Sequence, residues 1–104
     1  MNLTGNEPHD IDLAEAAEWT ASYRATIPAE GTIAHYLGKK AIQEIFDQED
    51  CVGMRIYYAL DTLGQKQLII TGVTKDGNDL YLGKLAERSI KCPPICSLSN
   101  PLNS

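Results

Sequence analysis

The segment Lys91-Cys92-Pro93-Pro94-Ile95-Cys96 sets two thiols on either side of a rigid diproline, a spacing that admits several chemistries. Structural zinc sites commonly use cysteines two to four residues apart, so Cys92 and Cys96 would supply half of a tetrahedral set. Cys51 with His35, or His9 from the N-terminal segment, would complete it. As a redox pair the segment departs from the usual dithiol motif, which has two intervening residues and a helix N-terminus to hold the thiolate. A cysteine followed by proline also ligates haem iron, but the dipeptide alone does not predict it. The structural alternative, which is preferred, is a C-terminal clasp: the prolines keep the chain extended while Ile95 and the thiols pack as small hydrophobes against a sheet edge. Three cysteines is an odd count and favours reduced thiols over a disulfide-stapled scaffold. Cys51 reads as a buried filler.

Other candidates are weaker as chemistry. His35 is placed beside Ile42 and Phe46 at the edge of an apolar stripe, where a hydrogen-bonded boundary histidine is expected rather than a catalytic base. Asp76, Asn78 and Asp79 around Gly77 mimic part of a calcium loop but lack the later glutamate. No glycine-rich phosphate loop, His-Glu-x-x-His or nucleophile motif is present. Glu15, Glu18, Asp47, Glu49 and Asp50 read as solvated faces. Arg24 falls on the apolar side of its helix, where its stem snorkels or its guanidinium pairs with a carboxylate such as Glu87. Arg55 and Tyr57, with Tyr81 nearby, share a surface: both residue types are enriched at interaction hot spots, although an ordinary cross-strand ladder would use them equally well.

The elements that must position these residues follow from hydrophobic rhythm. Asp12 is the N-cap of a first helix to about Thr26, with Glu15 three residues on as a capping-box partner. Leu13, Ala16, Trp19, Tyr23 and Ile27 share one side, which predicts an amphipathic helix. Thr32 is the expected N-cap of a second helix through Phe46, with Gly38 inside it. From Val52 the period changes from 3.6 to 2, predicting a strand over 52–60 and a second over 67–75. Asp76-Gly77 predicts a tight reversal into a third strand at Leu80, Tyr81 and Leu82, with Gly83 as a bend and residues 85–90 as its continuation or a fourth strand. These readings give an α+β fold with two N-terminal helices packed on a three- or four-stranded antiparallel meander sheet. Residues 1–11 form a flexible lead-in, 12–96 one domain, and 97–104 a mobile tail.

Composition narrows the role. The chain has 104 residues, 43% hydrophobic and 22% charged, which is compatible with one folded core. A net charge of −5 repels phosphate backbones and anionic lipid, so neither nucleic acid nor a membrane surface is an expected partner. No run approaches the ~20 apolar residues of a membrane span, and the first twelve residues resemble no secretory signal, so the expected location is cytoplasmic.

The strand residues Cys51-Val52-Gly53-Met54-Arg55-Ile56-Tyr57-Tyr58, with Gly72-Val73, Asn78-Asp79-Leu80-Tyr81, Ala86-Glu87-Arg88-Ser89 and Cys92-Pro93-Pro94-Ile95-Cys96, resemble those of a group of small bacterial proteins of similar length. The resemblance implies an intact domain and carries no activity with it. The expected role is a nonenzymatic protein-interaction module that binds a protein partner or a second copy through Arg55, Tyr57 and Tyr81. The alternative is a thiol or zinc protein centred on Cys92 and Cys96, with Cys51 and His35 as further ligands.

Overall fold

A computed structural model describes residues 2–104, and the chain forms two compact units. The larger contains the N-terminal residues up to Glu7 together with Leu37–Ser89; the smaller contains Pro8–Tyr36 and Ile90–Ser104. Among the described residues the architecture is α+β with two helices and two antiparallel sheets.

In the larger unit, alternating large side chains form strands β2 (Gly53–Leu60) and β3 (Lys66–Val73). They pair antiparallel from Gly53 opposite Val73 to Leu60 opposite Lys66. The connecting turn is closed by Asp61, whose Oδ1 accepts from the backbone N–H groups of Leu63 and Gln65, both at 2.9 Å. The expected reversal at Asp76-Gly77 is present: Gly77 adopts φ +83° and donates to the Thr74 carbonyl at 2.9 Å.

The third strand is shorter and later than the sequence suggests. Only Asp79 bridges back to Val73; the chain then turns, with Gly83 N–H donating to Leu80 O, and rejoins β3 as β4 (Leu85–Ala86) opposite Thr71 and Ile70. The excursion is held from outside the sheet, because the Gln48 side-chain oxygen accepts from Lys84 N–H at 2.8 Å. The Gln48 amide also donates to Ile45 O at 2.9 Å, anchoring it to the helix end. Gln48 lies so close to Gly72 and Gly83 that a Cβ at either would meet its amide; at Gly72 that Cβ would also lie 2.9 Å from Cys51 Sγ.

Helix α2 (Lys39–Phe46) lies against this sheet. Ile45 and Ile70, each 1% exposed, meet Ala86 at the centre of the core, with Leu37, Ala41, Cys51 and Met54 packed around them. On the outer side Glu44 accepts from Lys40 at 2.9 Å and pairs with Lys84 at 3.5 Å. The helix begins at Gly38, not at Thr32. The intervening residues are extended as β1 (Ala34–Tyr36), because the β-branched Thr32 and Ile33 and the aromatic Tyr36 suit a strand whose partner, β5 (Ile90–Cys92), was not recognisable from local pattern. The two helices are therefore not both N-terminal to the strands, and the five strands of the described residues divide into a sheet of three and a ribbon of two.

The smaller unit carries α1 (Leu13–Arg24), capped by Asp12, whose Oδ1 accepts from Glu15 N–H at 2.8 Å. No residue of α1 is buried, and the core around Ile45 contains none of them. Within the larger unit the helix that packs on the sheet is α2. β1 and β5 form a two-stranded ribbon, Ala34 opposite Cys92 and Tyr36 opposite Ile90, extended by Ile33 N–H donating to Cys92 O at 2.8 Å. Arg24 donates to the Leu102 carbonyl at 2.6 Å and the Ser104 carbonyl at 2.9 Å, so the backbone of the C-terminal segment, not Glu87, is its partner. Asn100 and Asn103 close the turn in that segment. Among the described residues no helix is long and apolar enough to cross a membrane.

Truncating the central side chain tests this account of the core. Ile70→Ala is expected to lower unfolding free energy by about 2–5 kcal/mol, whereas Leu82→Ala, at a position 90% exposed, should change it by no more than about 0.5 kcal/mol. Urea titration followed by circular dichroism measures both; equal effects would displace Ile70 from the centre.

Candidate functional site

Opposite positions of an antiparallel ladder share a face, so Arg55 with Thr71 and Tyr57 with Ile69 lie on the side of the sheet away from Ile70. The bridge at Asp79 brings a carboxylate to the same side. Arg55 Nη1 donates to Asp79 Oδ1 at 2.5 Å and to the Gly77 carbonyl at 3.1 Å. The Tyr57 hydroxyl donates to Asp79 Oδ2. Both carboxylate oxygens are thereby engaged, and the guanidinium and the phenol ring are held in one relative orientation. A carboxylate committed in this way is a poor general base. It ties two large side chains together at the surface.

The sequence supplied Arg55 and Tyr57 but not Asp79, which reads there as turn chemistry. Tyr81 is exposed in the turn that replaces the expected third strand and does not stand on the ladder. The face that α2 covers is itself only partly closed. Tyr58 and Leu60 lie on that face beyond the short helix and are 93% and 71% exposed.

The thiol candidates divide differently. Cys92 and Cys96 form a disulfide with Cα atoms 4.9 Å apart, correcting the expectation of reduced thiols. The chain between them returns on itself through an Ile95 N–H to Lys91 O bond of 3.1 Å, with cis peptide bonds at Pro93 and Pro94. A ring this small removes about 2 kcal/mol of unfolded-chain entropy, against about 3 kcal/mol for a 15-residue loop. Cys51 belongs to the larger unit, where its Sγ donates to Gly53 O at 3.2 Å. His35 stands opposite Lys91, one residue out of step with Cys92 in the ribbon, and both residues border the same cavity. Burial first, and Lys91 second, hold its pKa below the usual histidine value. Among the described residues no group of three or more His, Cys, Asp or Glu side chains could hold a metal ion. The disulfide side of the ribbon lines a cavity of about 650 Å³ with Ala34, Tyr36, Ile90, Ile95 and Leu102.

The electrostatics of the Asp79 cluster set its pH dependence. The Tyr57 hydroxyl, and then Arg55, hold the Asp79 carboxyl below the usual carboxylate range. The same Asp79 bond pushes the Tyr57 phenol upward. A depressed carboxyl contributes stability that is complete above its unfolded pKa and is lost as pH falls through the folded value. The raised phenol contributes below the ordinary tyrosine range and loses that share as pH rises through its folded value. Asp79→Asn is therefore expected to lower the melting temperature at neutral pH, with the gap to wild type closing on acidification; a gap independent of pH would refute the assignment. No family model, curated protein or solved structure matches the chain, and the chemistry of the cluster is read from its own geometry.

Proposed function

We propose that the chain is a small nonenzymatic interaction module that meets a protein partner, in the simplest case a second copy of itself, through β2 and the sheet face bearing Arg55 and Tyr57. The observation that carries this reading is the character of β2. It is an edge strand of its sheet, eight residues long, and exposes Ile56, Tyr57, Tyr58 and Leu60. Edge strands in monomeric proteins are usually shortened, bulged or charged, because their outward N–H and C=O groups invite another strand. β2 has one charged residue, Arg55, and that charge is engaged by Asp79. Aromatic and aliphatic side chains grouped along such an edge are typical of binding surfaces.

The Asp79 cluster supports the same reading. Rotamer freedom lost on binding weakens association, and an Arg and a Tyr already fixed by a shared carboxylate lose less. Tyr81, exposed in the turn that follows Asp79 in sequence, is proposed as a third contact residue.

Sedimentation equilibrium over a range of protein concentrations tests the proposal. The apparent mass of the wild-type chain is expected to rise with concentration, and Arg55→Ala and Tyr57→Ala should each weaken that association by about tenfold or more. A wild-type chain that remains monomeric throughout, together with both variants retaining every co-purifying protein, would overturn it.

A further inference from the structure

From the smaller unit we infer a second activity, independent of β2: the Cys92–Cys96 disulfide oxidises small thiols that carry an apolar or aromatic body, with Cys96 as the sulfur attacked. Three observations converge on it. The two halves of the bond differ in access, Cys92 being 6% exposed and Cys96 exposed. Thiol–disulfide exchange requires an in-line approach to one sulfur, so access selects Cys96 as the target and Cys92 as the leaving group. The bond also forms part of the wall of a cavity whose volume suits a small organic molecule. Finally, that wall carries a continuous hydrocarbon patch: Ala34, Tyr36 and Ile90 share the ribbon face with Cys92, and Ile95 and Leu102 extend it.

Polar residues line the cavity as well, among them His35, Thr20, whose hydroxyl donates to Ala17 O, and Ser97, whose hydroxyl accepts from Asn100. The Asn100 side chain bonds to Leu102 N–H and Leu98 O, and the Asn103 side chain to Asn100 N–H, Ser97 O and Leu98 O. The two asparagines are engaged in the C-terminal turn, so the patch beside the disulfide recognises an entering molecule chiefly by its hydrocarbon surface.

The reaction balances without another reagent. A thiolate RS⁻ attacks Cys96 Sγ; the RS–SγCys96 bond forms, the Cys92–Cys96 bond breaks, and the electron pair leaves on Cys92, which takes a proton from water. A second RS⁻ attacks the R-bearing sulfur, releasing Cys96 as thiolate and RSSR. Two thiols lose two electrons, and the protein disulfide gains them as two thiols.

The full-length oxidised chain is incubated separately with benzyl mercaptan and 2-mercaptoethanol, quenched with acid, alkylated and mapped by mass spectrometry. Each rate of bond opening is divided by the rate at which the same thiol opens oxidised glutathione. The normalised rate is expected to be about tenfold higher for benzyl mercaptan, with the trapped adduct on Cys96 and the alkyl label on Cys92. A bond that stays closed with both thiols, an adduct on Cys92, or equal normalised rates would each overturn the inference. Tryptic cleavage after Lys91 separates both residues from Cys51, so reaction at that third thiol does not enter the measurement.

Discussion

Ile70 sits where three elements meet. It is opposite Ile56 on β2 and Ala86 on β4, and it packs with Ile45 of α2. β3 alone has neighbours on both sides in its sheet, so the register of the larger unit is set through it. Side chains in a strand alternate between faces, and a slip of one residue would exchange the two sets. Ile70 would then share a face with Arg55 and Tyr57, so that either the isoleucine would leave the helix or the partners of the Asp79 carboxylate would move to the covered side. The apolar demand of one face thus fixes the polar geometry of the other. Burying an isoleucine requires that Arg55 and Tyr57 point outward together.

The polar cluster in turn depends on a short stretch of backbone. Asp79 reaches Arg55 and Tyr57 because the turn around Gly77 returns the chain to Val73 before the excursion to β4 begins. The same turn offers its Gly77 carbonyl as a second acceptor for Arg55. A tight turn, one bridge and two donors are enough to hold the cluster without enclosing it. What is built is a patch whose two large side chains share one carboxylate.

The strands of the hairpin were legible because each carries a two-residue rhythm and the intervening turns contain Asp and Gly in positions that need them. The cap at Asp12 was legible for the same local reason. β1 and β5 were not, since each is three residues long and is made by a partner more than fifty positions away in sequence. Ile33, Ala34 and Leu37 also fit a helical stripe continuing into Ala41, and nothing local separates the two readings. Asp79 was missed because it stands beside a turn that accounts for it. Carrying the register of both hairpins across β3 would have set it on the Arg55 face, since Gly53, Val73 and Asp79 lie in one row. The disulfide was obscured by counting: an odd number of cysteines hides a pair when the third sits in a separate unit.

Gln48 occupies the volume that a methyl group at either Gly72 or Gly83 would claim, while its amide joins the end of α2 to the start of β4. These three positions consequently share a single allotment of space. In divergent descendants of this chain, enlargement at one glycine has a steric route only if residue 48 shortens or withdraws, and a shortened residue 48 forfeits the bridge. Evolutionary drift at the three sites is therefore coupled, and the order in which changes arrive decides which are survivable.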